Sequence, residues 1–155
     1  MKHVDIEYKE VNKMTRKQLE YLLFMHKSMW KWISRKITKA KRCLDVDELK
    51  DQYLLIYETK DNVSDICKAG NCYLCYLSSM LEHIGCGSCA FCNMCLLTPV
   101  RNHDRRVSKC LNGLYRDVYF ELSDYKYQAR VAKQIAEIGV DMEKAKQMFG
   151  IDKSE

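Results

Sequence analysis

Six of the nine cysteines in this 155-residue chain fall within the 24 residues from Cys72 to Cys95. They read Cys72-x-x-Cys75, ten residues, then Cys86-x-x-Cys89-x-x-Cys92-x-x-Cys95. An isolated thiol behaves as a small hydrophobe and packs into a core, which does not account for this density. A C-x-x-C pair turns tightly and brings two sulfurs to one side. Two such pairs from distant points close a tetrahedron around zinc, at about 2.3 Å per Zn–S bond.

Pairing Cys72 and Cys75 with Cys92 and Cys95 leaves 16 residues between the pairs. That lies within the zinc spacing of about 15–20. Cys86 and Cys89 would leave ten. The first-choice ligands are therefore Cys72, Cys75, Cys92 and Cys95. Cys86, Cys89 and Cys110 are reserve ligands or part of a second site, and His83 and His103 are possible nitrogen donors. The run from Cys86 to Cys95 does not suit one helix face, because each three-residue step turns by about 300°. Gly85 and Gly87 ease a turn there.

Two other chemistries compete. An iron–sulfur cluster also takes four thiolates, but the run lacks the C-x-x-x-C-P ending of bacterial ferredoxins. Cys86-Gly87-Ser88-Cys89 has the form of a redox pair, yet no strand–helix context surrounds it. Zinc ranks above both. An all-thiolate site has no open coordination position and is structural. No phosphate-binding glycine loop, H-E-x-x-H, G-x-S-x-G or deaminase pattern occurs, so the expectation is a non-enzymatic protein. Cys43 and Cys67, and Cys110 if not a ligand, read as buried structural thiols.

The chain has the length of one domain. Its expected parts are an N-terminal arm and helices (1–66), a Cys-rich metal segment (67–110) and C-terminal helices (111–155). The start shows no apolar run after its basic residues, and no window approaches 18 apolar residues. The expectation is a cytoplasmic chain with no membrane span, where thiols stay reduced and clustered ones hold metal. With one proline and six glycines, the chain leans towards helix.

His3 to Val11 alternates as a short strand or extended arm. Thr15 and Gln18 have capping-box spacing, and Leu19, Leu22, Leu23, His26, Met29, Trp30, Ile33 and Ile37 form one apolar stripe. This predicts a helix to about Lys39. His26 is expected to be partly buried and hydrogen-bonded, Trp30 to be core, and Trp32 to be a partly exposed contact residue. A second helix is predicted from Asp45 or Asp47 to Glu58, with a strand at Tyr53–Tyr57 as the alternative, and a break at Lys60-Asp61-Asn62. Tyr115 to Leu122 is strand or helix. Ser123 or Asp124 caps a helix from Tyr125 to about Ile138, ended by Gly139, and a last helix runs from Asp141 to Gly150. The fold class is mainly α: a small helical domain with a cysteine-ligated zinc-knuckle insert.

The formal net charge of +5 and pI of about 8.7 are only mildly basic. Basic residues gather at the C-terminal half of the first helix and in Val100–Arg106. A solvated loop is the plainer reading of the latter. The functional one makes Arg101, Arg105 and Arg106 donors to phosphate or to an acidic partner.

Several segments carry a resemblance. Thr15-Arg16-Lys17-Gln18-Leu19-Glu20 through Met29-Trp30-Lys31-Trp32-Ile33 resembles the opening of Cys-rich accessory proteins of phages and prophages of Gram-positive bacteria. Asn71-Cys72-Tyr73-Leu74-Cys75-Tyr76 is similar to their first knuckle. Cys92-Asn93-Met94-Cys95-Leu96 is similar to their second, with Leu96 where those read proline and Cys89-Ala90-Phe91 as a rival match. Cys110 to Tyr115 and Ala129 to Gly139 resemble their closing segment. The resemblance implies a phage or mobile-element accessory protein that acts in a bacterial host by binding a host protein or complex, most concretely by inhibiting a defence system. A nucleic-acid-binding zinc module is the alternative, and an iron–sulfur or redox protein ranks below it.

Overall fold

Thr15 starts the longest helix. Its Oγ1 accepts from the Gln18 N–H at 3.1 Å, and Gln18 Oε1 accepts from the Thr15 N–H at 2.9 Å. Each side chain thus satisfies a backbone donor that a helix start leaves free, as the spacing predicted. The computed structural model describes residues 2–6, 14–68, 73, 76, 118, 124–137 and 150–151. Within them the chain is mainly helical, without strands: α1 (Arg16–Ala40), α2 (Val46–Tyr57), α3 (Lys60–Lys68) and α4 (Tyr125–Ala136). Lys41 closes α1 in the left-handed region (φ 55°), its N–H bonded to the Ile37 carbonyl. Asp45 caps α2 through the Asp47 and Glu48 N–H groups, and Asp124 caps α4 through those of Lys126 and Tyr127.

α1 is buried on two faces, which one apolar stripe did not anticipate. At about 100° per residue, Leu19, Leu22, His26, Met29, Trp30, Ile33 and Ile37 share one face, all of them buried. This face carries the main packing partner, α4. There Ala129, Ala132 and Ala136 are buried at the contact, and small side chains bring helix backbones close. Ser34 Oγ donates to the Ala129 carbonyl at 2.7 Å and His26 Nε2 to the Ile135 carbonyl at 3.0 Å. The later α1 residue meets the earlier α4 residue, so the helices are antiparallel.

The second face holds Tyr21, Met25 and Trp32. Trp32 is 8% exposed, which corrects its reading as a partly exposed contact residue. Its ring meets Tyr53 and Tyr57 of α2 edge-on, with centroids 5.6 and 6.2 Å away. Tyr53 Oη also donates to Met25 Sδ at 3.8 Å. Trp30 and Trp32 do face different sides, but α2 covers the second side.

Three further expectations change. Lys60-Asp61-Asn62 is not a break but the first turn of α3, since the chain turns at Glu58–Thr59 and Thr59 Oγ1 accepts from the Asn62 N–H. Cys67 is exposed and Cys43 only half-buried, so neither is a fully buried thiol. α4 ends at Ala136, two residues short of the predicted Ile138. The alternative strand at Tyr53–Tyr57 is helix, and Val118 is also helical. Asp141 to Phe149 lies outside the described residues. Gly150 has φ 67° and Ile151 is buried.

Gln128 ties the α1–α2 connection to α4. Its Oε1 accepts from the Leu44 N–H, and its Nε2 donates to the Leu44 and Val118 carbonyls, all within 3.0 Å. One hydrophobic core gathers residues from Ile6 to Ile151, including Tyr73, Tyr76 and Val118.

His26 gives this packing a pH dependence. The Ile135 carbonyl only accepts, so Nε2 carries the proton, and Nδ1 has no hydrogen-bond partner among the described residues. Burial pushes the imidazole down to about 4 from 6.5, against a smaller upward pull from the Ile135 carbonyl. The unfolded chain therefore binds a proton at His26 below about pH 6.5 while the folded chain does not. Stability from this residue is complete above that pH and falls away towards pH 4, by up to about 3 kcal/mol. Chemical denaturation of the wild type and of His26→Met at pH 7.5 and 4.5 checks this. The variant should be less stable at pH 7.5 and lose less on acidification.

Candidate functional site

The predicted metal ligands Cys72, Cys75, Cys92 and Cys95, the reserve residues Cys86, Cys89 and Cys110, and His83 and His103 lie outside the described residues. So do Arg101, Arg105 and Arg106. Among the described residues, no group of three or more His, Cys, Asp or Glu side chains is arranged to hold a metal. The described residues nearest the first cysteine pair are Tyr73 and Tyr76, each directly after one of its cysteines. Both are helical and buried.

Tyr73 leads to an enclosed carboxylate. Glu58 ends α2, and its side chain has 0% exposure. Its Oε1 accepts from Tyr21 Oη at 2.6 Å, the Thr59 N–H at 2.9 Å and Asn62 Nδ2 at 3.0 Å. Oε2 accepts from Tyr73 Oη at 2.9 Å. Every partner donates, which matches the acceptor-only inventory of a carboxylate. Taking a carboxylate out of water costs several kcal/mol unless its lone pairs are filled. Four donors from α1, the α2–α3 turn, α3 and the Tyr73 segment fill them.

His3 completes the cluster at its edge. Its Nδ1 lies 3.1 Å from Tyr21 Oη and 3.7 Å from Glu58 Oε1. The single Tyr21 hydroxyl proton goes to Glu58, so in the His3–Tyr21 bond His3 Nδ1–H donates.

The phenols are held in their donor state. Burial pushes the Tyr21 and Tyr73 hydroxyls far above the usual range, and the Glu58 carboxylate beside them adds to it. Tyr53 is pushed up to about 12, again mainly by burial.

The same cluster holds the N-terminal arm. Asn62 Oδ1 accepts from the Ile6 N–H at 3.1 Å, and its Nδ2 donates to the Val4 carbonyl at 2.8 Å. Gln18 Nε2 donates to the Asp5 carbonyl at 3.0 Å. Tyr76 Oη donates to the Ile6 carbonyl at 2.7 Å. Residues 2–6 thus form an arm without regular secondary structure, pinned by side chains at Val4, Asp5 and Ile6. Tyr73 is fastened to Glu58 and Tyr76 to this arm.

A carboxylate with no exposed side-chain surface meets no substrate in this conformation, so its chemistry is that of a fastener. Two sequence signals pointed to it. The dipeptide Cys-Tyr occurs twice, at 72–73 and 75–76, putting two aromatics at the same spacing as the thiols. Glu58 also sits at a helix C-terminus, where the helix dipole disfavours an acid.

Tyr73→Phe and Tyr21→Phe each remove one donor to a buried carboxylate and should cost about 1.5–3 kcal/mol. Glu58→Leu strands several buried donors at once and should cost more than either. Urea unfolding of the three variants and of the Tyr21→Phe/Tyr73→Phe pair tests this. Additive losses in the pair would show that the two phenols do not share one acceptor.

Comparison with family models, curated proteins and solved structures gives no match to this chain.

Proposed function

We propose that the chain is a non-enzymatic, zinc-binding accessory protein of a phage or other mobile element, which acts in the bacterial cytoplasm by binding a host protein or complex. Inhibition of a defence system is its most concrete form. The observation that carries the structural part is the anchoring of Tyr73 and Tyr76. Tyr73 and Tyr76, each directly after a cysteine of the first pair in the sequence, are fastened to Glu58 and to the Ile6 carbonyl, which supports a scaffold role for that stretch. The partner and the setting rest on the sequence resemblance.

The donor set suits zinc. Cys72, Cys75, Cys92 and Cys95 offer four thiolates as two C-x-x-C pairs. A zinc ion held by Cys72, Cys75, Cys92 and Cys95 would supply a cross-link between the two C-x-x-C pairs. The chain's own residues supply its attachment: Tyr73 to Glu58, and Tyr76 to the arm. Cys86, Cys89 and Cys110 are the reserve set for a second ion.

A partner needs an accessible surface. Leu55, Ile56 and Tyr57 stand exposed in succession at the end of α2, Leu55 at 80%. These exposed apolar side chains are the candidate contact residues for a protein partner. No described helix is long and apolar enough to cross a membrane.

Elemental analysis of the purified full chain is the deciding measurement. Stoichiometric zinc is expected. Cys72→Ser and Cys92→Ser should each lower both metal content and melting temperature, since a structural site contributes on the order of 10 kcal/mol. A brown, iron-containing protein after anaerobic purification would replace zinc with a cluster. Full metal retention in both variants would reject this ligand set.

A further inference from the structure

α1 leaves one side to solvent, and its C-terminal half fills that side with a single sign of charge. Between residues 27 and 42 there are seven basic residues and no acidic one: Lys27, Lys31, Arg35, Lys36, Lys39, Lys41 and Arg42. All seven are exposed. None of them forms an ion pair with another described residue. Subtracting these seven from the net charge of +5 leaves −2 for the rest of the chain. The mild overall charge therefore hides a concentrated one.

The helix orders these charges. Lys27, Lys31, Arg35 and Lys39 recur every fourth residue, so they climb α1 in steps of about 6 Å over about 18 Å, drifting about 40° per step. Lys36 stands apart, with Nζ 5.2 Å from the Trp32 ring centroid. At its C-terminal end the row reaches a groove of about 400 Å³, where Lys36, Lys39 and Arg42 face Asp45 and Glu48 of α2.

We infer that this row binds the phosphate backbone of a nucleic acid. A protein partner would need buried aromatic or aliphatic anchors at the centre of its contact. Along residues 27–42 the face has none: Trp30, Trp32, Ile33 and Ile37 all point into the core. What remains exposed is cationic or small, as at Thr38 and Ala40. Phosphate contact needs only such groups and carries no sequence preference. Phe24, 41% exposed one turn before Lys27, offers a face to an unstacked base at the head of the row. The inference does not depend on the metal or on the host partner, and it uses neither Leu55 nor the cysteines.

Fluorescence anisotropy tests it, with the full chain and 20-base probes of duplex DNA, single-stranded DNA and RNA across a salt series. Four phosphate contacts give a log–log salt slope of about −4 on duplex DNA and about −3 on single strands. A fourfold charge reversal (Lys27→Glu, Lys31→Glu, Arg35→Glu, Lys39→Glu) should weaken binding at least about tenfold and flatten the slope. A control with the same change in net charge (Lys17→Glu, Lys60→Glu, Lys126→Glu, Lys133→Glu) should stay within about threefold of the wild type if the row is the site. If thermal melts show that the fourfold variant does not fold, Lys31→Glu and Arg35→Glu are read singly, each lowering the slope by about one. No retention at low salt, equal losses in row and control variants, or binding of poly-glutamate in place of nucleic acid would each overturn the inference. The last result would assign the face to an acidic protein.

Discussion

The enclosed Glu58 carboxylate is the interaction on which the described body depends. Four donors converge on it from four parts of the chain. A buried carboxylate is a liability unless saturated, so the donors are not interchangeable decorations. They must arrive together, and each brings its segment with it. Tyr21 brings α1, Asn62 brings α3 and the arm, and Tyr73 brings the chain beside the first cysteine pair. A polar network of this kind costs stability when incomplete and specifies one arrangement when complete.

The second constraint is that α1 is covered on two sides. α4 lies along one face and α2 along the other, where Trp32, Met25 and Tyr53 meet. At the α4 contact the polar side chains that cross among the described residues are directed at backbone carbonyls or N–H groups. His26 and Ser34 reach α4, and Gln128 of α4 reaches back to Leu44. Covering two faces also leaves Lys27, Lys31 and Arg35 of α1 in the sector that remains, while Lys36 lies over the Trp32 ring. The alignment of positive charge thus follows from the packing that buries Trp30 and Trp32.

The metal hypothesis and the helical body meet at Tyr73 and Tyr76. The cysteine spacing argues for a tetrahedral thiolate site on ligand chemistry alone. The tyrosines add an attachment. The phenols are committed to Glu58 and to the Ile6 carbonyl, and the neighbouring thiols are the ones proposed to hold the ion. The ligand set itself rests on spacing, because the cysteines that form it lie outside the described residues.

Local signals were sufficient for α1, α2 and α4. The Thr15–Gln18 box, the Asp45 and Asp124 caps and the apolar period of α1 are near-neighbour patterns, and the structure realises each of them. The thiolate spacing is equally a property of the sequence alone. Tertiary structure decided what depends on distant partners. It determined that Trp32 is buried, that Cys67 is exposed, and that Glu58 is enclosed. None of these follows from a window of neighbours. Burial of Trp32 needs α2 across from it, 21 residues on at Tyr53. Enclosure of Glu58 needs Tyr21, 37 residues back, and Tyr73, 15 residues on. Periodicity reports which side of a helix is apolar, whereas the fate of a polar or aromatic side chain on its edge depends on which other element arrives there.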